Sequence, residues 1–173
     1  MMQHEESPEA IRAQRDRLLE LVEILGSLSS HALPGSVLIQ EIVTSVQRLT
    51  RGLGAALEIR EGHEMVYHTA AGSLAPYVGV RLPVGGSLSG LCVQHATLLY
   101  ARDVETDARV NLDLCRKIGI RSMMVAPLLQ GAQAVGVLKS ASENTDGFDE
   151  IDEYTLHLSA NFMSSILARS ISG

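Results

Sequence analysis

RLPVGGSLSGLCVQHATLLYARDVETDARVNLDLCRKIGIRSMMVAPLLQGAQAVGVLKSAS, residues 81–142, decides how the chain is read. Val80-Arg81-Leu82 is a short strand ended by Pro83. Val84-Gly85-Gly86-Ser87 turns the chain, and Ser87 is a good N-cap for a helix from Leu88 to His95. Gly90 lies inside that helix. A glycine there costs about 1 kcal/mol against alanine, so something approaches closely, either packed backbone or a ligand. Leu98-Leu99-Tyr100 is a short strand, 102–111 is polar and irregular, and Leu112 to Ile118 is a helical turn ended by Gly119. Arg121 to Leu129 and Gln133 to Ser140 then form a hairpin. Ser122, Met124, Ala126 and Leu128 share one face of its first strand and Met123, Val125 and Leu129 the other, with Pro127 expected to interrupt the ladder. Both strands are apolar on both faces, so they belong at the centre of a sheet covered on both sides.

Working outward, Asp149 can cap a last helix with two apolar stripes. Ile151, Tyr154, Leu158, Phe162 and Ile166 form one; Leu156, Met163, Leu167 and Ile171 form the other. Two stripes imply two buried surfaces, one of them the sheet and the other a partner helix. On the N-terminal side, Gly54 to Arg60 and Met65 to Ala71 alternate as a hairpin around Glu61-Gly62-His63. His63 and His68 read as solvated. A helix carrying Val37, Leu38, Ile42, Val43, Val46 and Leu49 precedes the hairpin and stops at Arg51-Gly52, where Gly52 suits a left-handed cap. The first helix has Ser7 as N-cap and Pro8 at its first position. Ile11, Leu18 and Leu25, with Leu21 and Leu28 between, make about two and a half heptads, which suits either packing on its own domain or a self-association seam.

The predicted class is α+β: a central antiparallel sheet of about six strands, long terminal helices on one face, and short helices and loops roofing a pocket on the other. The 173 residues suffice for one core without staples. A net charge of −6, no Trp and two Phe argue against a nucleic-acid surface. No run is apolar enough to span a bilayer, and the polar N-terminus is no signal peptide. Two cysteines do not make a disulfide framework, so a reducing cytoplasm is expected.

These elements, in this order, resemble a GAF domain, the sensory module of phosphodiesterases, phytochromes and bacterial signalling proteins. The resemblance rests on Arg81-Leu82-Pro83, Ser87 to Leu91, Asp103-Val104 with Asp107, Gly119 to Leu128, Gly136-Val137-Leu138 and Phe148 to Asp152, and covers residues 18–168. It implies a helical signalling and dimerisation segment at 1–30 and the GAF domain at 31–173. The expected function is to bind a small molecule and relay its presence through the terminal helices of a homodimer. No cofactor is named by the sequence; nucleic acid and membrane are not expected partners. An effector is expected in another chain or elsewhere in a longer protein. The special members of the family match poorly. Asn111 to Lys117 lacks the cyclic-nucleotide signature, and no cysteine stands near Arg109 or Val110 for a covalent bilin. His95 is the one candidate for a haem ligand. Asp103, Glu105 and Asp107 lack the glycine and closing Glu of a calcium loop.

The resemblance also implies two alternatives. One is an enzyme like the free methionine-(R)-sulfoxide reductases using Cys115, although Ser89 stands where those enzymes have a cysteine. The other is a ligand-free dimerisation module whose pocket is filled by Leu91, Met124 and Leu138. The expected pocket residues are Leu57, Tyr67, Leu82, Leu88, Leu91, Asp103, Arg109, Cys115, Ser122, Met124 and Leu138, with Arg109 and Arg121 available to an anion. Ser87, Ser89 and the helix start at Leu88 form a second candidate anion point. Which side chains face inward turns on a one-residue register.

Overall fold

The structure, a computed structural model, describes residues 6–171, with side chains through Arg169; the start of the expected 1–30 segment, residues 172–173 and the Ile171 side chain lie outside the described residues. The helices are α1 (Pro8–Ser30), α2 (Gly35–Leu49), α3 (Leu88–His95), α4 (Leu112–Ile118) and α5 (Glu150–Ile171). The strands are β1 (Gly54–Glu61), β2 (Glu64–Gly72), β3 (Arg81–Pro83), β4 (Leu99–Ala101), β5 (Ser122–Gln130) and β6 (Gln133–Ser142). They form one antiparallel sheet in the order β3-β2-β1-β6-β5-β4. The doubly apolar β5–β6 hairpin is internal, as strands buried on both faces must be.

Strand alternation divides the interior into two cores. Ala55, Leu57, Met124, Ala126, Leu128 and Leu138 point to α2 and α5, where they meet Ile42, Val46, Leu156 and Met163. Their neighbours Ala56, Met123, Val125 and Val137 point the other way, to α3, α4 and the segment between them. Each central strand therefore contributes to both cores, and neither can shift by one residue without moving apolar groups to the wrong layer. The α1 helix lies over the helical layer. Its Ser7 hydroxyl accepts from Ala10 N–H at 3.2 Å, Leu21 is buried, and Leu28 packs on the α2–α5 core. Ile11, Leu19 and Val22 are left exposed.

Local geometry differs from expectation in two places. Pro127 keeps register opposite Val137, and the irregularity falls later, between Leu128 and Leu129. The left-handed residue after α2 is Arg51, at φ 52°; Gly52 instead lets the chain pass Ala141 O, which an added Cβ would approach to 2.7 Å.

Gly90 has a plain packing reason. A Cβ there would stand 1.9 Å from Val84 O and 2.5 Å from Val84 C, so the turn at Val84–Gly86 rests directly on α3. The close approach is backbone and not ligand. Gly90→Ala is expected to cost about 1–3 kcal/mol, as overpacking does. Gly85, with open space around it, is the control: Gly85→Ala should stay within about 0.5 kcal/mol. Urea unfolding of both variants checks this.

Candidate functional site

The site is built on a charged pair inside the sheet. Glu58 of β1 and Lys139 of β6 lie on the face opposite the long helices. The register shift between Leu57 and Glu58 brings Glu58 opposite Tyr67 of β2. Lys139 pairs with Ala56, so its side chain leans diagonally toward Glu58. Lys139 Nζ donates to Glu58 Oε1 at 2.6 Å and to the Tyr67 hydroxyl at 3.0 Å. Ser89 of α3 donates to the same Glu58 oxygen at 2.8 Å, which ties that helix to the sheet. Glu58 is wholly buried and the Lys139 side chain is 4% exposed. Burial alone would push the Lys139 ammonium down, but the Glu58 carboxylate and the Tyr67 hydroxyl outweigh it and hold Lys139 above its ordinary value. Burial pushes the Tyr67 phenol up, so its proton stays on. Two hydrogen-bonding capacities are unspent. The Tyr67 O–H has no acceptor among the described residues, and Glu58 Oε2 has no donor.

Above this floor lies a small cavity. Tyr67, Lys139 and Met123 form its base, Leu82 and Ile120 its sides, and Ser87, Leu88, Asn111, Leu114, Cys115 and Ile118 its roof. The void has a volume of about 10 Å³, roughly the room of one water molecule. The roof helix α4 is short and well closed at both ends. Asn111 accepts from Leu114 N–H at 3.1 Å, and Gly119, at φ 92°, returns its N–H to Cys115 O. Arg116 clamps Glu105 at 2.7 Å, which binds α4 to its own preceding loop and not to the sheet.

Both cysteines are buried and free. Burial, helped by the Glu58 charge, pushes the Cys92 thiol up to about 12. Burial also pushes the Cys115 thiol up, although Lys139 pulls the other way. A thiol held protonated is a poor nucleophile.

Of the expected pocket residues, Tyr67, Leu82, Leu88 and Cys115 come together around the void. Leu57, Met124 and Leu138 do not: they sit in the α2–α5 core on the opposite face. The reason is strand parity, because Met123 and Lys139, one residue along in each case, point to the cavity. Leu91 is half-buried and does not line the void, so the void is not filled by Leu91, Met124 and Leu138. Ser122 donates to Asn144 O at 2.6 Å and accepts from Gly147 N–H, fixing the turn into α5. Asp103 accepts from Glu105 N–H at 3.0 Å and meets Arg121 at 3.4 Å. Arg109 is spent on Asp107 at 2.6 Å and on Tyr100 O at 3.0 Å. Neither arginine faces the cavity. His95 is exposed at the end of α3, away from the void. No group of three or more metal-ligating side chains is assembled among the described residues. No described helix is long and apolar enough to cross a membrane.

The residues missed were Glu58, Lys139, Asn111, Leu114, Ile118, Ile120 and Met123, while Ser87, expected at an anion point, lines the void. A signal existed for the first two. A Glu in the apolar run 54–59 and a Lys in the apolar run 134–141 are opposite charges inside strands that must be buried on both faces.

A family model described as GAF domain matches residues 36–168. Among solved structures, the GAF domain of a phosphoenolpyruvate-protein phosphotransferase from Coxiella burnetii superposes with a TM-score of 0.81 at 16% identity, covering 92% of this chain and 96% of that one. A free methionine-R-sulfoxide reductase from Neisseria meningitidis, solved with its substrate, gives 0.79 at 17% identity, covering 99% and 98%. The nlh2 GAF domain of A. aeolicus, in an inactive state, gives 0.72 at 16% identity, covering 91% and 99%. At such identities the likeness is one of fold. No curated protein matches the chain significantly.

The charged pair makes a sharp prediction. Lys139→Met strands the Glu58 carboxylate in the interior and should lower stability by about 3–5 kcal/mol. Glu58→Met combined with Lys139→Met removes both charges and should recover most of that loss. Urea unfolding of the two variants measures it; a double variant no more stable than the single one contradicts the pairing.

Proposed function

The chain belongs to the GAF domain family, and on that premise we propose that it is a regulatory domain. It takes up a small molecule over the Glu58–Lys139–Tyr67 floor and passes the state of that cavity to its terminal helices in a homodimer. The observation that carries this reading is the shared sheet. The polar-floored cavity lies on one face and the α2–α5 core on the other, and alternate residues of β1, β5 and β6 belong to each. Opening the roof changes the packing of Met123 and Tyr67, whose strand neighbours support α5 and α2. Ligand contacts that differ between an open and a closed roof shift the population of helix packings.

The helical face has a joint suited to reading such a change. Arg17 of α1 reaches Asp149 and Asp152 at the start of α5, 2.7 Å from Asp149 Oδ2. The two aspartates cap α5 reciprocally: Asp152 accepts from Asp149 N–H and Asp149 from Asp152 N–H. One guanidinium thus locks α1 to the first turn of α5, where the dipole favours the carboxylates. Arg48 of α2 meets Glu20 of α1 at 2.5 Å. The second copy is proposed to cover the apolar residues these contacts leave out, Ile11, Leu19 and Val22 on α1 and Tyr154 and Leu158 on α5. The first three fall within one face of a helix.

A second reading, a dimerisation module without ligand, is favoured by one observation: the void, at about 10 Å³, has room for no more than about one water. No corresponding observation favours a cysteine reductase, since both thiols are buried and held protonated.

Native mass spectrometry of freshly purified wild type and Val22→Glu separates the readings. The regulatory reading expects a wild-type dimer carrying an extra non-covalent mass, and a Val22→Glu monomer that keeps that mass. A bare dimer favours the ligand-free module, and a wild-type monomer removes the dimer from the account.

A further inference from the structure

The cavity floor has a definite polarity. Among the groups lining the void, the Tyr67 hydroxyl accepts from Lys139 and has its own proton to give. Lys139 spends two of its three N–H bonds, on Glu58 and Tyr67, and has a third. Asn111 uses its carbonyl oxygen to cap α4, which leaves its amide N–H groups. Ser87 accepts from Gly90 N–H at 3.0 Å and leans its own proton toward Pro83 O. Among the groups that line the void, the unspent polar capacity is therefore donor capacity; the unspent acceptor, Glu58 Oε2, is not one of them. Tyr67 is 1% exposed, so water does not satisfy that donor from outside.

Charge narrows the choice. Among the described residues, Lys139 is the one cation lining the void, and Glu58 already neutralises it at 2.6 Å. The neighbouring arginines are committed to Asp107, Glu105 and Asp103 outside the cavity. A ligand carboxylate would add a second negative charge beside a buried carboxylate with no cation to balance it. The free N–H groups at the start of α3 offset only a fraction of that cost. A neutral oxygen acceptor meets the same donors without the charge. Size agrees, since a void of about 10 Å³ takes one oxygen atom without disturbing the floor. Everything else around it is apolar, with Leu82, Leu88, Leu114, Ile118, Ile120 and Met123 meeting there.

We infer that the cavity selects an uncharged ligand carrying a carbonyl oxygen on a compact apolar body. The oxygen accepts from the Tyr67 hydroxyl and the third Lys139 N–H, and the body displaces the Leu114 and Ile118 side chains of the roof helix. This rests on the regulatory reading of the cavity and adds the chemical class of what enters it.

The test uses isovaleramide, isovalerate and cyclopentane as probes, followed by methyl NMR of the whole chain at neutral pH. Isovaleramide is expected to shift the Met123 and Ile118 methyl signals, and isovalerate to bind roughly tenfold or more weakly. Tyr67→Phe keeps the ring in place and should weaken isovaleramide roughly threefold to tenfold, the worth of one buried hydrogen bond. It should leave cyclopentane unaffected. The comparison of amide with carboxylate needs no variant, so it stands even if Tyr67→Phe folds poorly. Isovalerate binding as tightly as the amide overturns the inference. Cyclopentane binding as well as the amide, with no effect of Tyr67→Phe, also overturns it while leaving the cavity a ligand site. If no probe shifts the cavity methyls, the inference and the ligand-binding reading fall together.

Discussion

The structure depends on a carboxylate and an ammonium that are both out of water. Bringing Glu58 and Lys139 into the sheet removes two hydration shells, a cost of several kcal/mol for each ion. Their 2.6 Å contact offsets that cost only with the help of Tyr67 and Ser89. Those partners come from separate elements: β2 brings Tyr67 and α3 brings Ser89. The β1–β2 hairpin, α3 and β6 must therefore arrive together, and α3 is held to the sheet by a polar contact as well as by packing. Gly90, one residue after Ser89, allows the Val84 turn to press against the same helix. The cavity is what remains between this assembly and the α4 segment.

The consequence for function is an asymmetry between the two faces of one sheet. Apolar side chains from α2, α5 and the strands β1, β2, β5 and β6 fill the helical face. The other face has a polar floor and a roof whose ion pairs, Arg116 with Glu105 and Arg109 with Asp107, are internal to the roof. Such exposed pairs stiffen the roof as a unit but contribute little to holding it down. The roof is attached mainly by Cys115, Ile118 and Ile120 against the sheet. On the proposed reading, an element of this kind opens locally at lower free energy than the strands beneath it, as entry of a ligand to the cavity requires.

Much of the architecture was legible because period and punctuation agreed. Pro83, Ser87, Gly119 and Gly131 mark ends that the structure keeps, and β5 and β6 announce themselves by being apolar on both faces. That same property hid the site. In a strand with one solvated face, alternation says which residues point inward; in β5 and β6 it does not, so Met124 and Leu138 were exchanged for Met123 and Lys139. Leu57 failed for the same reason, with Glu58 as its counterpart. The loop residues Asp103 and Arg109 were placed at the site because their loop was expected to roof it, but Asp103 turns to Arg121, and Arg109 turns to its neighbour Asp107 and to Tyr100 O. The buried pair was readable in principle, since each of its charges stands inside an apolar run. Pairing the two required the β1–β6 register.

The most direct test of this account is native-state hydrogen exchange across the chain. If α4 is a roof over a closed cavity, the amides of Leu112–Ile118 exchange through a local opening. Their opening free energy should lie well below that of the β1 and β6 amides flanking Glu58 and Lys139, and low denaturant should leave it unchanged. If α4 amides instead exchange only with global unfolding, at the same free energy and denaturant dependence as β6, the roof does not open on its own. The cavity would then be a sealed part of the core, and the ligand-binding account would be wrong.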